Sequence, residues 1–387
     1  MEMNVAKIKF AVIGCGHIGK RHAEMITRND HAELAALVDI RPKAELSLER
    51  FNQIPFYNSF ESLLQKGLES DFDVAVIATP NGLHSRQALL ALEYGKHVVI
   101  EKPLALKKKD AEKVLYKSLQ VNKQVFSVMQ NRYSPPSLWL KELVTSGKLG
   151  KIFLVQINCL WNRDERYYKK DSWHGCSGLD GGTLFTQFSH FIDIMYWLFG
   201  DIVNVRSTMR SFNHQQLTDF EDSGVVNFEF EHGGLGSIAF TTSVWDSNLE
   251  SSMTIVAEHG SVKVGGQYMN DVEYCHVKDY VMPHLEPTNP ANDYGHYKGS
   301  AANHHYVIGN VIDVLNNRHS ITTNAMEGMK VVEIIEKMYS NAALNDTPKE
   351  DQPSTRQKNI ENLLKSYMRN EDSNNNVRTN TPEKVML

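Results

Sequence analysis

Two short stretches of the chain gather side chains able to move a proton. Glu101-Lys102-Pro103 closes the apolar run His97–Glu101 and sets an acid and an amine at the end of a strand. An ammonium there can hydrogen-bond an oxygen as it gains carbonyl character; a solvated Lys–Glu pair is the plainer alternative for these residue types. Pro103 biases Lys102 toward an extended backbone. Further along, Gly181-Gly182 open a helical stretch in which Thr186, His190 and Asp193 stand at i, i+4 and i+7, on one face. His190 can take the proton of a hydroxyl whose carbon gives up a hydride, or it can simply buttress the helix by hydrogen bonding.

An acceptor for that hydride is suggested by Gly14-Cys15-Gly16-His17-Ile18-Gly19, a G-x-G-x-x-G run between the apolar Lys9–Ile13 and a helical stretch. Gly14 permits the tight turn, Gly16 lets the backbone approach a pyrophosphate, and Gly19 lets the helix pack close on the sheet. The helix N-terminus offers its N–H groups to the phosphates. Asp39 ends the next strand, where an acid accepts from the adenosine ribose hydroxyls and repels a 2′-phosphate. The expected cofactor is therefore NAD, with NADP disfavoured although Arg41 and Lys43 lie near; nothing further supports a flavin. Thr79, Asn81 and His84 follow another strand and Asn131 and Arg132 a later one, all at the carboxyl edge where ligands of parallel sheets lie. Turn and helix-cap chemistry uses the same residue types.

These residues need elements to hold them. Lys9–Ile13, Glu33–Asp39, Asp73–Ala78, His97–Glu101 and Gln124–Met129 read as strands, and Gly19–Arg28, Ala44–Phe51, His84–Tyr94 and Asp110–Val121 as the helices between them. That alternation implies βαβ units and a parallel, doubly wound α/β Rossmann domain over residues 1–128. Residues 129–345 read as an α+β substrate-binding and oligomerisation domain. It has a helix at 138–147, a strand at Ile152–Cys159, a basic aromatic loop Trp161–Trp173 and one long helix Leu184–Phe199. Alternating strands from Ile202 to Val264 then predict a large, mainly antiparallel sheet. The loop 279–299 is long enough to be functional or mobile, and helices at 301–316 and 324–340 close the fold. Residues 346–387 read as a polar tail with one helix at 357–368.

The chain of 387 residues, 41% hydrophobic and 22% charged, has the makeup of a globular protein with more than one domain. Its net charge of −5 argues against a nucleic-acid partner. Cys15, Cys159, Cys176 and Cys275 lack C-x-x-C pairing, so neither zinc site nor disulfide framework is expected, and reduced thiols fit a cytoplasmic protein. His304-His305 has no carboxylate at helical ligand spacing, so no metal is expected. No secretory signal is evident, and Phe185–Phe199, with His190 and Asp193 inside it, is too short for a membrane span.

The glycine run, Ala78-Thr79-Pro80-Asn81 with His84, Glu101-Lys102-Pro103 and the mixed second domain resemble, over residues 6–343, the glucose–fructose oxidoreductase / inositol dehydrogenase / rhizopine-catabolism (Gfo/Idh/MocA) family. The resemblance extends to Gly181–Asp193, where the family carries G-G-x-L-x-D-x-G-x-H-x-x-D. His190 and Asp193 match, whereas Thr186 stands for the first Asp and Phe188 for the Gly. It implies NAD-dependent oxidation of a sugar hydroxyl with Lys102 and His190 at the reacting centre. Cofactor contacts would come from Gly14, Cys15, Gly16, His17, Ile18, Gly19, Asp39, Thr79, Asn81, His84, Glu101, Lys102 and Asn131. A homodimer or homotetramer is also implied, and an exposed apolar sheet face would serve it. Thr186 cannot balance an ammonium as Asp does. Together with the loop bearing Asn162, Arg163, Arg166, Tyr167, Tyr168, Lys169, Lys170 and Trp173, this shifts the expectation toward a nucleotide-linked sugar, since Arg and Lys suit a diphosphate and aromatic faces a sugar or base. Expected substrate contacts are Lys102, Arg132, Arg163, Tyr168, Trp173, Thr186 and His190. Two other outcomes stay open: transient oxidation that cleaves a glycoside and returns the hydride, and a catalytically silent NAD-binding regulator.

Overall fold

The computed structural model describes residues 6–65, 71–169 and 172–343; Lys170 and the expected tail helix lie outside the described residues. The first half runs β1 (Ile8–Ile13), α1 (His17–Thr27), β2 (Ala32–Val38), β3 (Phe56–Tyr57), α2 (Phe60–Gln65), β4 (Val74–Ile77), α3 (His84–Glu93), β5 (His97–Ile100), α4 (Lys108–Gln120) and β6 (Val125–Ser127). The six strands are all parallel in the order β3-β2-β1-β4-β5-β6. Helices cover both faces, which is why Phe10–Ile13, Val74–Ile77 and Val98–Ile100 are buried without alternation. Strand order reverses beside β1, and the crevice outside the carboxyl ends of β1 and β4 is where such sheets bind ligands.

The helix expected over Ala44–Phe51 is replaced by two short 3-10 turns, Lys43–Glu45 and Glu49–Phe51. Leu46, Leu48 and Phe51 still pack into the core, but Ser47 between the turns has φ +50°, outside the helical region. The apolar spacing there reports burial rather than a helix. β3 and α2 were not legible, because a strand of two residues carries no periodicity.

The second half runs α5 (Pro135–Thr145), β7 (Ile152–Leu160), α6 (Thr183–Thr186), α7 (Ser189–Phe199), β8 (Ile202–Arg210), β9 (Ser223–Phe230), β10 (Leu235–Thr241), β11 (Glu250–Ala257), β12 (Gly260–Gly265), β13 (Asp271–Val277), β14 (Ala291–Asp293), β15 (Lys298–Ala301), α8 (His304–Leu315), α9 (Ala325–Ser340) and β16 (Ala342–Ala343). Eight strands form a sheet in the order β13-β12-β11-β7-β10-β9-β8-β16. It is antiparallel except where β10 meets β7 and β16 meets β8. Its inner face (Ile157, Phe228, Ile238, Ile255) packs with Phe188, Phe191 and Met195. The expected loop 279–299 contains the β14–β15 hairpin.

The last helices return to the first sheet. Val307, Ile308, Val311 and Ile312 of α8 join Phe10, Val12 and Ile26 in one core cluster. Asn324 and Glu327 form a capping box that starts α9. No helix among the described residues is long and apolar enough to cross a membrane.

Candidate active site

The carboxyl ends of β1, β4 and β5 open into a cavity of about 1490 Å³, walled on its far side by α6, the start of α7 and the β14–β15 hairpin. Single small-ligand sites occupy roughly 300–1,000 Å³, so a dinucleotide and a second molecule have room here. Gly14 turns the chain at φ +91°, and a Cβ on it would lie 2.6 Å from the Ala78 carbonyl oxygen. Gly16 is the opposite case: a Cβ there would meet nothing within 4 Å, so the backbone at the head of α1 faces open cavity, as a pyrophosphate requires.

Asp39 sits at the edge of this cradle. Its carboxylate accepts from the Cys15 N–H (2.9 Å), the Arg41 N–H (2.9 Å) and Arg41 Nε (3.1 Å). Burial raises its pKa, but the Arg41 and Cys15 hydrogen bonds outweigh that and keep it below the usual range, ready to accept from a ribose. The residues present therefore fit NAD. Gly14, Gly16, His17, Ile18, Asp39, Thr79, Asn81, His84, Glu101 and Lys102 all line the cavity. Cys15 lies behind it with its thiol pushed up to about 12 by burial, and Gly19 packs against Gly14. His84 ties the ends of β4 and β5 together, its ring nitrogens each 2.8 Å from a carbonyl oxygen, of Pro103 and of Thr79. Asn131, an expected cofactor contact, is buried outside the lining; its neighbour Gln130 is the residue that faces the cavity.

Lys102 precedes a cis peptide to Pro103, and its ammonium donates to the Thr186 carbonyl. Burial pushes its pKa down to about 8; Glu101 and Asp180 pull upward and Arg163 adds to the depression. His190 lines the same cavity. Its burial, helped by the Lys102 charge, holds the imidazole well below its ordinary pKa. Glu101 stands 2.7 Å from His22 and 3.5 Å from His304. Burial would raise its carboxyl, but the two histidines outweigh this and hold it well below the usual range. The carboxylate that His304 lacks along the chain thus arrives in space. The 2.7 Å separation from His22 is a hydrogen bond, whereas two ligand atoms of one tetrahedral zinc stand roughly 3.3 Å apart.

The long helix expected over Leu184–Phe199 breaks at Gln187 and Phe188. The Thr186 carbonyl, which would accept from residue 190 in an unbroken helix, accepts from Lys102 instead. The single face expected for Thr186, His190 and Asp193 is therefore absent: Thr186 and His190 reach the cavity, while Asp193 turns into the interior. The negative charge that Thr186 lacks comes from Asp180, which was missed. Its buried carboxylate accepts from the Thr186 hydroxyl, and Asn81 Nδ2 donates to that hydroxyl and to the Asp180 carbonyl, each at 2.8 Å. Only the fold brings Asp180 to Lys102, so no spacing in the sequence signalled it.

Among the expected substrate contacts, Arg163, Trp173, Thr186 and His190 line the cavity with Lys102. Arg132 does not: it is buried against Asp193 (2.6 and 2.8 Å) and Glu327 (2.6 Å), fastening the turn after β6 to α7 and α9. Tyr168 points away from the cavity toward His214 and Phe220, and the adjacent Tyr167 takes the place expected for it. Arg166 is on the lining, paired with Asp164 at 2.7 Å.

A parallel dinucleotide cradle joined to a second sheet, with lysine and histidine between them, defines a two-domain NAD-binding oxidoreductase. Residues 8–129 match the oxidoreductase family with an NAD-binding Rossmann fold, and residues 138–263 match the GFO/IDH/MocA C-terminal domain. The chain belongs to the Gfo/Idh/MocA oxidoreductase family, and its cofactor is NAD. It is similar to the WlbA dehydrogenase of Bordetella pertussis, solved with NADH and UDP-GlcNAcA: 30% identity over 87% of this chain and 96% of that one, TM-score 0.76. The D-glucoside 3-dehydrogenase of Escherichia coli is 26% identical over 62% of this chain and 68% of its own length. The inositol 2-dehydrogenase of Salmonella paratyphi B is 25% identical over 58% and 65%.

Proposed function

We propose that this protein oxidises a hydroxyl on the sugar of a nucleotide-linked sugar, with Lys102 and His190 at the reacting carbon. The observation that carries the reading is Lys102, a half-buried amine brought near neutrality beside the dinucleotide cradle. When bound, NAD supplies the hydride acceptor. Lys102 accepts the hydroxyl proton, because a base of pKa about 8 is matched to physiological pH. His190, neutral and a much weaker base, holds the same oxygen by a hydrogen bond. These roles differ from the sequence expectation, in which Lys102 polarised the oxygen and His190 took the proton. The size of the cavity, the Arg166 cation and the Trp173 ring favour a nucleotide-linked substrate over a free sugar, in keeping with what WlbA binds.

Initial rates of NADH formation test this on a panel of UDP-GlcNAcA, UDP-GlcNAc, UDP-glucuronate, UDP-glucose, free glucose, a methyl glucoside and inositol. The highest kcat/KM is expected with a UDP-linked sugar. Turnover confined to the free sugars and inositol overturns the substrate assignment.

The outer face of the eight-stranded sheet carries Phe153, Val225 and Leu235, exposed by 51%, 48% and 57%. Covering such a face by a second copy makes the working form a homodimer or homotetramer. Light scattering should return twice or four times the chain mass, and Leu235→Glu should reduce it. A wild-type monomer at micromolar concentration would refute this. All four cysteines are unpaired, which suits a cytoplasmic setting.

A further inference from the structure

Arg163 follows β7, is 2% exposed, and has no acidic partner among the described residues. Among the described residues its guanidinium is held by neutral acceptors alone. Nε donates to Gln187 Oε1 (2.8 Å), Nη1 to the Asn162 carbonyl (2.5 Å) and Asn248 Oδ1 (3.2 Å), and Nη2 to the Lys298 carbonyl (3.0 Å). The rings of Trp161, Tyr167 and Tyr297 stand 4.8, 5.3 and 4.8 Å from its central carbon. Arg132, the other large buried cation, has two carboxylates. A guanidinium has five N–H groups, so these bonds leave one Nη2 hydrogen for a ligand, with the positive charge uncompensated among the described residues. Burial lowers the Arg163 pKa, as it must for a cation without an anion.

The position of Arg163 limits what that anion can be. Thr186 gives its carbonyl to Lys102, and the next residue, Gln187, gives its side-chain oxygen to Arg163. Both cations line the cavity with His190. An anion that balances Arg163 therefore belongs to the same ring whose hydroxyl meets Lys102. A diphosphate calls for several donors or a free bidentate fork, and here the fork is occupied and walled by aromatic faces. A flat carboxylate needs only the remaining N–H.

We propose that Arg163 and its aromatic walls recognise a carboxylate borne by the sugar itself, so that the enzyme oxidises a nucleotide-linked uronic acid in preference to the corresponding neutral hexose. This rests on the nucleotide-sugar reading above and narrows it. Two matched pairs separate the two claims: UDP-GlcNAcA against UDP-GlcNAc, and UDP-glucuronate against UDP-glucose, the members of each pair differing only in carboxylate against hydroxymethyl. In the wild-type protein kcat/KM should favour the acid of at least one pair by on the order of 10–100-fold, the worth of one charged hydrogen bond. Arg163→Lys should retain most of that preference and Arg163→Gln should bring it close to one. Equal kcat/KM for acid and neutral members in the wild type overturns the carboxylate site and leaves the nucleotide-sugar reading standing. A loss in Arg163→Gln that is the same for both members also overturns it, and assigns Arg163 to the diphosphate they share. Turnover of neither pair overturns the nucleotide-sugar reading and this proposal with it.

Discussion

Lys102→Met should lower kcat by about 10³-fold, within the range of positioned acid–base groups, while NADH binding, read by its fluorescence, is unchanged. Methionine keeps the length and apolar stem of lysine but cannot accept a proton or donate to the Thr186 carbonyl. The wild-type pH profile supplies the second measurement. Oxidation needs the neutral amine, so kcat/KM should be low where Lys102 is protonated and should rise with pH through a midpoint of about 8. His190 is held neutral by burial well below its ordinary pKa. His190→Ala should therefore reduce kcat without adding or removing a limb near neutrality. Asp180→Asn removes a charge that favours the Lys102 ammonium, and should move the limb to lower pH. A limb that persists unchanged in Lys102→Met, or near-normal turnover in that variant, would show that another group takes the proton.

The cofactor half of the site was legible because its signals are local. Three glycines, a helix start and an acid at the next strand end lie within one βαβ unit, and each has a physical reason to be where it is. The same holds for Glu101-Lys102, fixed at the end of β5 by the apolar run before it. The substrate half was legible in its residue types but not in its directions. Helical periodicity put Thr186, His190 and Asp193 on one face, yet the helix is interrupted at Gln187 and Phe188, where the Thr186 carbonyl accepts from Lys102 instead. Tyr167 and Tyr168 are adjacent in an irregular loop, where no period decides which ring turns inward. His22 meets Glu101, and Asp180 meets Lys102, only through the tertiary fold, so composition and spacing are silent about those pairings. Arg132 shows the converse, since an arginine at the carboxyl edge of the sheet looks like a ligand group until its carboxylate partners are seen.

That buried arginine should control stability rather than chemistry. Arg132 is fully buried, with both Asp193 oxygens on Nε and Nη2 and Glu327 on Nη1. Burial opposes its charge, but Asp193 and Glu327 outweigh burial and hold its pKa above the usual guanidinium range. Arg132→Met strands the Asp193 carboxylate in the core, and removing one member of such a pair is expected to destabilise the protein by about 3–5 kcal/mol. The midpoint of urea denaturation, followed by tryptophan fluorescence, should fall accordingly, while turnover per folded molecule stays near wild type because Arg132 touches no part of the cavity. Replacing the pair together, Arg132→Met with Asp193→Leu, should recover much of the loss, since the penalty lies in the unpaired charge rather than in the missing contact. If Arg132→Met denatures at the wild-type urea concentration, the ion pair is not what fastens α7 to the turn after β6. If it folds normally and loses kcat, Arg132 acts on the reaction after all.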